Sequence, residues 1–152
     1  MTRARGRSAP ATARPGPSST RSDGVDQRRR CGRLEGVNVV LPSGLVVPDL
    51  VVADAGATAD DPVTVDIDAV QLVVELVSPG NSTMDRKVKP MLYAEAAIPH
   101  FWRLEFDPAA MLVIYELQGG RYVERTTALA GATTHLDAPF PIAIDPAGLS
   151  RQ

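Results

Sequence analysis

Two carboxylates stand inside the most apolar segments of the chain. Glu75 lies in the segment VQLVVELV, residues 70–77, and Asp49 lies in VVPDLVV, residues 46–52. Burying a carboxylate without a partner costs free energy, so such groups are usually paired or bound to a metal ion. If the two segments are neighbouring strands, the carboxylates meet at one sheet edge, and two hard oxygen donors suit Mg²⁺ or Mn²⁺. The alternative is that both acids belong to structural ion pairs.

A second group of chemically useful side chains follows the Glu75 segment. Asp85, Lys89 and Tyr93 are spaced i, i+4 and i+8, so on a helix they share one face. A helix that starts directly after the Glu75 strand can point Lys89 at the carboxylates. A lysine beside a metal-bound water can orient the nucleophile, while the metal lowers the pKa of that water. These groups predict phosphodiester hydrolysis; the alternatives for Lys89 are a solvated helix face or a pair with Asp85.

The elements that must hold these side chains follow the predicted order β-β-β-α-β-β-β, an α/β (α+β) protein with a mixed sheet. Strands are predicted at residues 37–41, 45–52, 70–77, 100–106, 111–117 and 121–129, with an acidic loop at 54–64, a helix from a cap at Asn81 or Ser82 to about Ala97, and a short apolar segment at 140–144. Pro48 predicts an edge or a bulge, and Pro90 predicts a helix that is kinked or regular only beyond it. One helix cannot cover both faces of six strands, so a face is exposed, a partner covers it, or part of the fold is missing.

The charge of the chain is divided between two regions. Residues 1–33 contain nine Arg and two acidic residues, a net of +7, whereas residues 34–152 contain seven basic and sixteen acidic residues, a net of −9. The first region has almost no large apolar side chains, which predicts a disordered Arg/Pro-rich arm. Such an arm attracts phosphates non-specifically, or has no selected role, or reflects a misassigned start of translation. Residues 34–152 are predicted to form the folded domain.

Composition excludes several classes of protein. No run approaches the roughly 18 apolar residues of a transmembrane helix, and the N-terminus lacks the apolar stretch of a secretory signal. The single cysteine, Cys31, cannot form an internal disulfide, and with two histidines it supports no zinc site. The expected location is the cytoplasm, with no membrane partner.

Three blocks of residues resemble a known family. They are Pro48-Asp49, the segment VELVSP at 74–79, and the segment 85–102, which contains Lys89, LYAEA and IPHFW. Over about residues 36–149 their order and spacing resemble the Uma-type restriction endonuclease family of the PD-(D/E)xK nuclease superfamily. The resemblance implies a restriction-endonuclease-like core in which Asp49 and Glu75 are catalytic, metal-binding acids. It also implies that Lys89 is the catalytic lysine, supported by Tyr93 and Asp85.

The chain departs from that family at three places. The superfamily's lysine usually stands two residues after the second acid, where this chain has Val77, so Lys89 on the helix replaces it, with Lys87 as the alternative. Ala97 occupies a helix end where the family prefers Gly, and a left-handed cap there costs alanine about 1 kcal/mol. Only the part from about Leu34 onward is recognisable, so the N-terminal helix and strands of the core are expected to be missing.

Two functions of different classes follow from these observations. The first is an Mg²⁺- or Mn²⁺-dependent DNA endonuclease, which could act as a homodimer on a symmetric site. Its difficulty is the acidic domain, because phosphates favour Lys and Arg surfaces and bound metal ions offset only part of the charge. The second is a truncated, catalytically inactive nuclease fold that serves as an interaction module. It predicts oligomerisation through an uncovered sheet face.

Overall fold

The structure is a computed structural model that describes residues 30–80 and 82–150. Its strands are β1 (Cys31–Glu35), β2 (Asn38–Leu41), β3 (Gly44–Val46), β4 (Leu50–Asp54), β5 (Thr64–Asp66), β6 (Val70–Leu76), β7 (His100–Glu105), β8 (Met111–Gln118), β9 (Arg121–Leu129), β10 (Thr134–Leu136) and β11 (Ile142–Ile144). Its α-helices are α1 (Ala55–Thr58) and α2 (Lys89–Glu95), and shorter helical turns occupy Ile67–Ala69, Met84–Val88 and Pro146–Ser150. The predicted mixed α+β class is confirmed.

Six strands form the central sheet in the order β1-β4-β6-β7-β8-β9. β6 and β7 are parallel, and the other neighbouring strands are antiparallel, so the sheet is mixed. Two parallel strands need a crossover connection. Here the helical residues that follow β6 supply it, and the chain returns from them into β7. The crossover therefore brings helical side chains close to the carboxyl end of β6.

β6 is the central strand that the apolar segment predicts. It pairs with β4 on one side and β7 on the other, and its side chains alternate between two cores. Val73 packs in a cluster with Tyr93, whereas Leu72 packs in a cluster with Trp102. Because Glu75 is two residues beyond Val73, its side chain lies on the face that α2 covers.

Both faces of the central sheet are covered by other parts of the described chain. On the Val73 face, α2 packs together with a three-stranded sheet of order β3-β2-β5. On the opposite face, the β10-β11 pair and Phe140 pack against Trp102. Four of these five covering strands have only three residues. Strands this short give only a weak alternation of apolar and polar residues in the sequence. They cover the two faces of the central sheet, which one helix alone cannot do.

The segment predicted as one strand at 45–52 is in fact two strands in two sheets. β3 pairs with β2, whereas β4 pairs with β1 and β6. Pro48 lies buried between them. Because proline has no N–H to donate to a ladder, the chain leaves one sheet at this point and enters the other. The change of sheet places Asp49 directly before β4.

Other boundaries also differ from the predicted ones. β1 begins at Cys31, so residues 31–33 belong to the sheet and not to the predicted arm. β1 pairs with β4 along its whole length. Because this pairing is made by backbone hydrogen bonds, the strand forms although Leu34 is its one buried apolar side chain. Residues 1–29 of the arm lie outside the described residues. The acidic loop contains α1 and reaches into β5, and neither β5 nor β10 was predicted.

The predicted helix consists of two kinds of helix in succession. Met84–Val88 form a π-helical turn, and α2 then begins with Pro90 in its first turn. Proline is tolerated in a first turn because the N–H groups there have no partner within the helix. The regular α-helix is thus confined to the residues around and beyond Pro90, as predicted.

The end of α2 has a left-handed backbone conformation. Ala97 has φ 58°, a conformation that favours glycine. The N–H of Ile98 donates to the carbonyl of Tyr93 at 3.1 Å, which closes the helix end before β7.

Candidate active site

The strand pairing brings Asp49 and Glu75 together. In the antiparallel β4–β6 pair, Leu50 is opposite Val74, so Asp49 and Glu75 are the next pair of positions beyond them. Asp49 Oδ2 accepts a hydrogen bond of 2.7 Å from the N–H of Leu76, which fixes this carboxylate at the end of β6. The two acids therefore lie at one end of neighbouring strands, as expected from the sequence.

Glu75 is fully buried and is held through both of its oxygens. Its exposed fraction is 0%. Lys89 Nζ donates to Oε2 at 2.7 Å, and the hydroxyl of Tyr93 donates to Oε1. Both donors come from α2, four residues apart on one face. The helix thus supplies a cation and a neutral donor to one buried carboxylate.

Asp85 completes this buried group of charges. It is 4% exposed, and Lys89 Nζ lies 3.2 Å from its Oδ1 as an i,i+4 pair. The pairing with Asp85 that the sequence left open therefore occurs together with the contact to Glu75. An ammonium group has three N–H donors, so one donor of Lys89 remains for a ligand.

Burial decides the proton affinities in this group. Loss of water raises the pKa of Glu75 from 4.5 to about 7, since the hydrogen bonds from Lys89 and Tyr93 offset only part of it and Asp49 adds repulsion. Burial lowers the pKa of Lys89, but the hydrogen bonds and charges of Glu75 and Asp85 outweigh that effect and raise the pKa overall. The surroundings of Lys89 therefore favour its ammonium form.

The two neighbouring carboxylates offer oxygen donors of the kind that bind a divalent cation. Asp49 is exposed, with one oxygen bonded to a backbone N–H, and each oxygen of Glu75 accepts one bond and keeps a second lone pair. Among residues 30–80 and 82–150, no group of three or more His, Cys, Asp or Glu side chains could hold a metal ion. Mg²⁺ is commonly bound by one or two carboxylates, with water and substrate phosphates completing its coordination. This donor set suits that pattern.

The alternative lysine does not enter the site. Lys87 is exposed, and within the described part of the chain it has no hydrogen bond or ion pair with either acid. The aromatic residues Phe101 and Trp102 of the IPHFW motif are buried in the core, at 1% and 4% exposure.

Sequence reasoning missed a second charged cluster beside the site. Glu105 accepts hydrogen bonds from Arg86 and, at 2.7 Å, from Nε of Arg103. Arg103 is opposite Glu75 in the β6–β7 pair, and its guanidinium lies 5.4 Å from the centre of the Tyr115 ring. The signal that could have found this cluster is the pair of opposite charges two residues apart in an apolar strand, since such residues share one face.

Comparison with known proteins agrees with the predicted family and fold. The model of the Uma2 family, described as "Putative restriction endonuclease", matches residues 23–148. The chain belongs to the Uma2 family. The resemblance found in the sequence is thus confirmed, but the Uma2 match begins at residue 23, inside the segment assigned to the arm. A search of the curated proteins found no match.

A solved structure shares the fold of this Uma2 protein. It is the crystal structure of a "putative nuclease belonging to DUF820" from Anabaena variabilis, with a TM-score of 0.51 and 15% sequence identity. The likeness covers 63% of this chain and 55% of that one, so this chain spans about half the length of that nuclease. At this identity the comparison establishes a nuclease-like fold alone. In the described residues, no helix is long and apolar enough to cross a membrane.

Proposed function

We propose that this Uma2 protein hydrolyses phosphodiester bonds of DNA and requires Mg²⁺ or Mn²⁺. The observation that carries the proposal is the position of Lys89, whose ammonium lies 2.7 Å from Glu75 where Asp49 adjoins it. Three charged side chains from separate parts of the sequence lie at one end of neighbouring strands, and two of them, Glu75 and Lys89, are paired away from water although burying charges costs free energy. The description of the family supports a nuclease reaction.

Each residue of the group has a task in the proposed reaction. Asp49 and Glu75 would hold the cation, which lowers the pKa of a water molecule and neutralises charge on the scissile phosphate. Tyr93 holds Glu75 in place, and Asp85 holds Lys89. Lys89 directs its remaining N–H donor at the attacking water or at a phosphate oxygen. Its raised pKa keeps that donor charged while negative charge develops on the phosphate.

The test is cleavage of supercoiled plasmid by the full chain, with Mg²⁺ or Mn²⁺ and with a chelator. We expect metal-dependent nicking that Asp49→Asn and Lys89→Gln reduce by about 10²–10³-fold, the loss typical when one charge-stabilising group is removed. Asp49 is exposed, so its substitution leaves the core intact. Asp137→Asn is the matched control, because Asp137 is an exposed carboxylate outside the site.

Two results would overturn the proposal. Plasmid that stays intact with both metals, while circular dichroism shows a folded chain, would favour the inactive interaction module. Equal cleavage rates for Asp49→Asn and Asp137→Asn would show that cleavage does not use the proposed acids.

A further inference from the structure

The basic residues of the folded region are gathered in one place. Residues 34–152 contain seven Lys and Arg against sixteen Asp and Glu. Four of the seven line a single cavity, which we name the basic groove, and they are Arg86, Lys87, Arg103 and Arg121. A fifth, Lys89, lies in the candidate active site. A predominantly acidic region therefore concentrates most of its positive charge at one surface.

The basic groove lies between α2 with its preceding π-helical turn and the strands β7, β8 and β9. Its volume is about 440 Å³, and the carboxylate among its lining residues is Glu95. Adding Glu105, which binds two of the arginines, still leaves a local charge of +2 from four cations and two acids. Sites that bind drug-sized molecules have volumes of about 300–1,000 Å³, so a nucleotide unit of a longer strand has room here.

Two of the four cations are available to a ligand. Lys87 and Arg121 are exposed, and neither has an ion-pair partner within the described residues. Arg86 and Arg103 share one carboxylate, so that cluster keeps one positive charge in excess. Arg103 is further oriented by its contact with Tyr115. The groove thus combines two fixed guanidinium groups with two solvent-facing cations.

The basic groove adjoins the candidate active site along two elements. Arg103 is opposite Glu75 in the β6–β7 pair. Arg86 and Lys87 lie between Asp85 and Lys89 in the chain, so one helical segment faces both the groove and the site. A polyanion bound at the acids would therefore continue into the groove.

We propose that the basic groove binds the phosphate backbone of DNA and holds the strand beside Asp49 and Glu75, with Lys87 and Arg121 as phosphate contacts. The choice of DNA as the ligand rests on the proposed function, whereas binding in the groove does not require hydrolysis. Phosphate backbones are recognised mainly by Lys and Arg. The carboxylates elsewhere on the domain repel a polyanion, which directs it to this groove. This resolves the conflict between an acidic domain and a DNA ligand.

The test is binding of a fluorescent DNA duplex to the full chain, by anisotropy in a chelator at several salt concentrations. Each phosphate contact contributes about 0.9 to the steepness with which log affinity falls with log salt concentration. Loss of one contact therefore weakens binding by about tenfold at 0.1 M salt. We expect Lys87→Gln and Arg121→Gln each to weaken binding by about that factor and the double variant to lower the slope by about two. All variants retain the nine arginines of residues 1–33, so the background from that region is constant.

Arg125→Gln is the matched control. Arg125 is an exposed arginine of the same strand as Arg121, but it pairs with Glu116 and does not line the groove. Equal affinity and salt slope for Arg125→Gln and the double variant would overturn the proposal, as would tighter binding to an RNA duplex of the same sequence. Thermal melting of each variant verifies folding, and the single variants give the same comparison if the double variant is unstable.

The binding and cleavage results separate the two proposals. Groove-dependent binding without metal-dependent cleavage would overturn the proposed hydrolysis and leave the groove supported. Cleavage that is identical in the wild type and the double variant, with unchanged binding, would overturn the groove and leave hydrolysis supported.

Discussion

The helical residues 84–95 carry two charged regions with opposite properties. On one side Lys89 contacts the fully buried Glu75, and on the other Arg86 and Lys87 line the basic groove. In the first region each charge has a fixed partner away from water. In the basic groove the cations face solvent, and acidic side chains neutralise only some of them. The difference shows how one short segment can both hold a buried charged cluster in place and present other cations to solvent.

The largest expected difference between the two regions is in stability. Lys89→Met removes the cation that pairs with Glu75 and Asp85, and breaking a buried pair costs about 3–5 kcal/mol. Lys87→Met removes an exposed cation and should change stability by less than about 0.5 kcal/mol. Urea denaturation of both variants at pH 8 measures the contrast. Equal losses of unfolding free energy in the two variants would mean that Lys89 stabilises the fold no more than Lys87 does.

The pH dependence of stability should also come from the buried region. The pKa of Glu75 is raised from 4.5 to about 7, so the folded state binds the proton more tightly than the unfolded state. Its contribution to stability is then complete below pH 4.5 and is lost as the pH rises to about 7, by up to about 3 kcal/mol.

Glu75→Gln isolates this contribution because glutamine does not titrate. With metal chelated, the free energy of unfolding of the wild type minus that of Glu75→Gln should fall between pH 4.5 and 7. A difference that stays constant or rises over this range would show that the Lys89 pair outweighs desolvation.

Two tyrosine hydroxyls give a smaller contrast of the same kind. Tyr93 donates to the buried carboxylate of Glu75, whereas Tyr122, at the groove, donates to the carbonyl of Ile98 at 2.8 Å. Hydrogen bonds to charged groups contribute about 1.5–3 kcal/mol and neutral ones about 1 kcal/mol. Tyr93→Phe should therefore lower the free energy of unfolding by about 2 kcal/mol at pH 8, and Tyr122→Phe by about half of that. Thermal denaturation measures both, and the reverse order would contradict the comparison.

The buried region could be predicted from the sequence because its signals are local. Glu75 stands out as a charge in an apolar strand, and the four-residue spacing of Lys89 and Tyr93 predicts a shared helix face. Their convergence with Asp49 needed only the assumption that β4 and β6 are neighbours, which the structure supports.

The basic groove could not be predicted in this way. Its cations come from the helical segment, β7 and β9, and each is ordinary in its own element. Only the strand order brings Arg103 and Arg121 to the same side of the helix, and strand order depends on long-range pairing that periodicity does not encode. The change of sheet at Pro48 was missed for the same reason, because a proline marks an interruption but not the new partner of the strand.

The smallest expected effect concerns the end of the segment that carries both regions. Ala97 is exposed with φ 58°, where glycine lacks the steric cost that a Cβ imposes. Ala97→Gly should raise the free energy of unfolding by about 1 kcal/mol. Ala96→Gly, one residue earlier at φ −82°, should lower it by at least about 0.5–1 kcal/mol, because glycine adds entropy to the unfolded chain and removes a methyl group that packs against the core. Urea denaturation of this pair should give opposite signs, and DNA affinity should be unchanged in both, since neither side chain lines the groove. A change in affinity would mean that the helix end, and not only its charges, sets the shape of the groove.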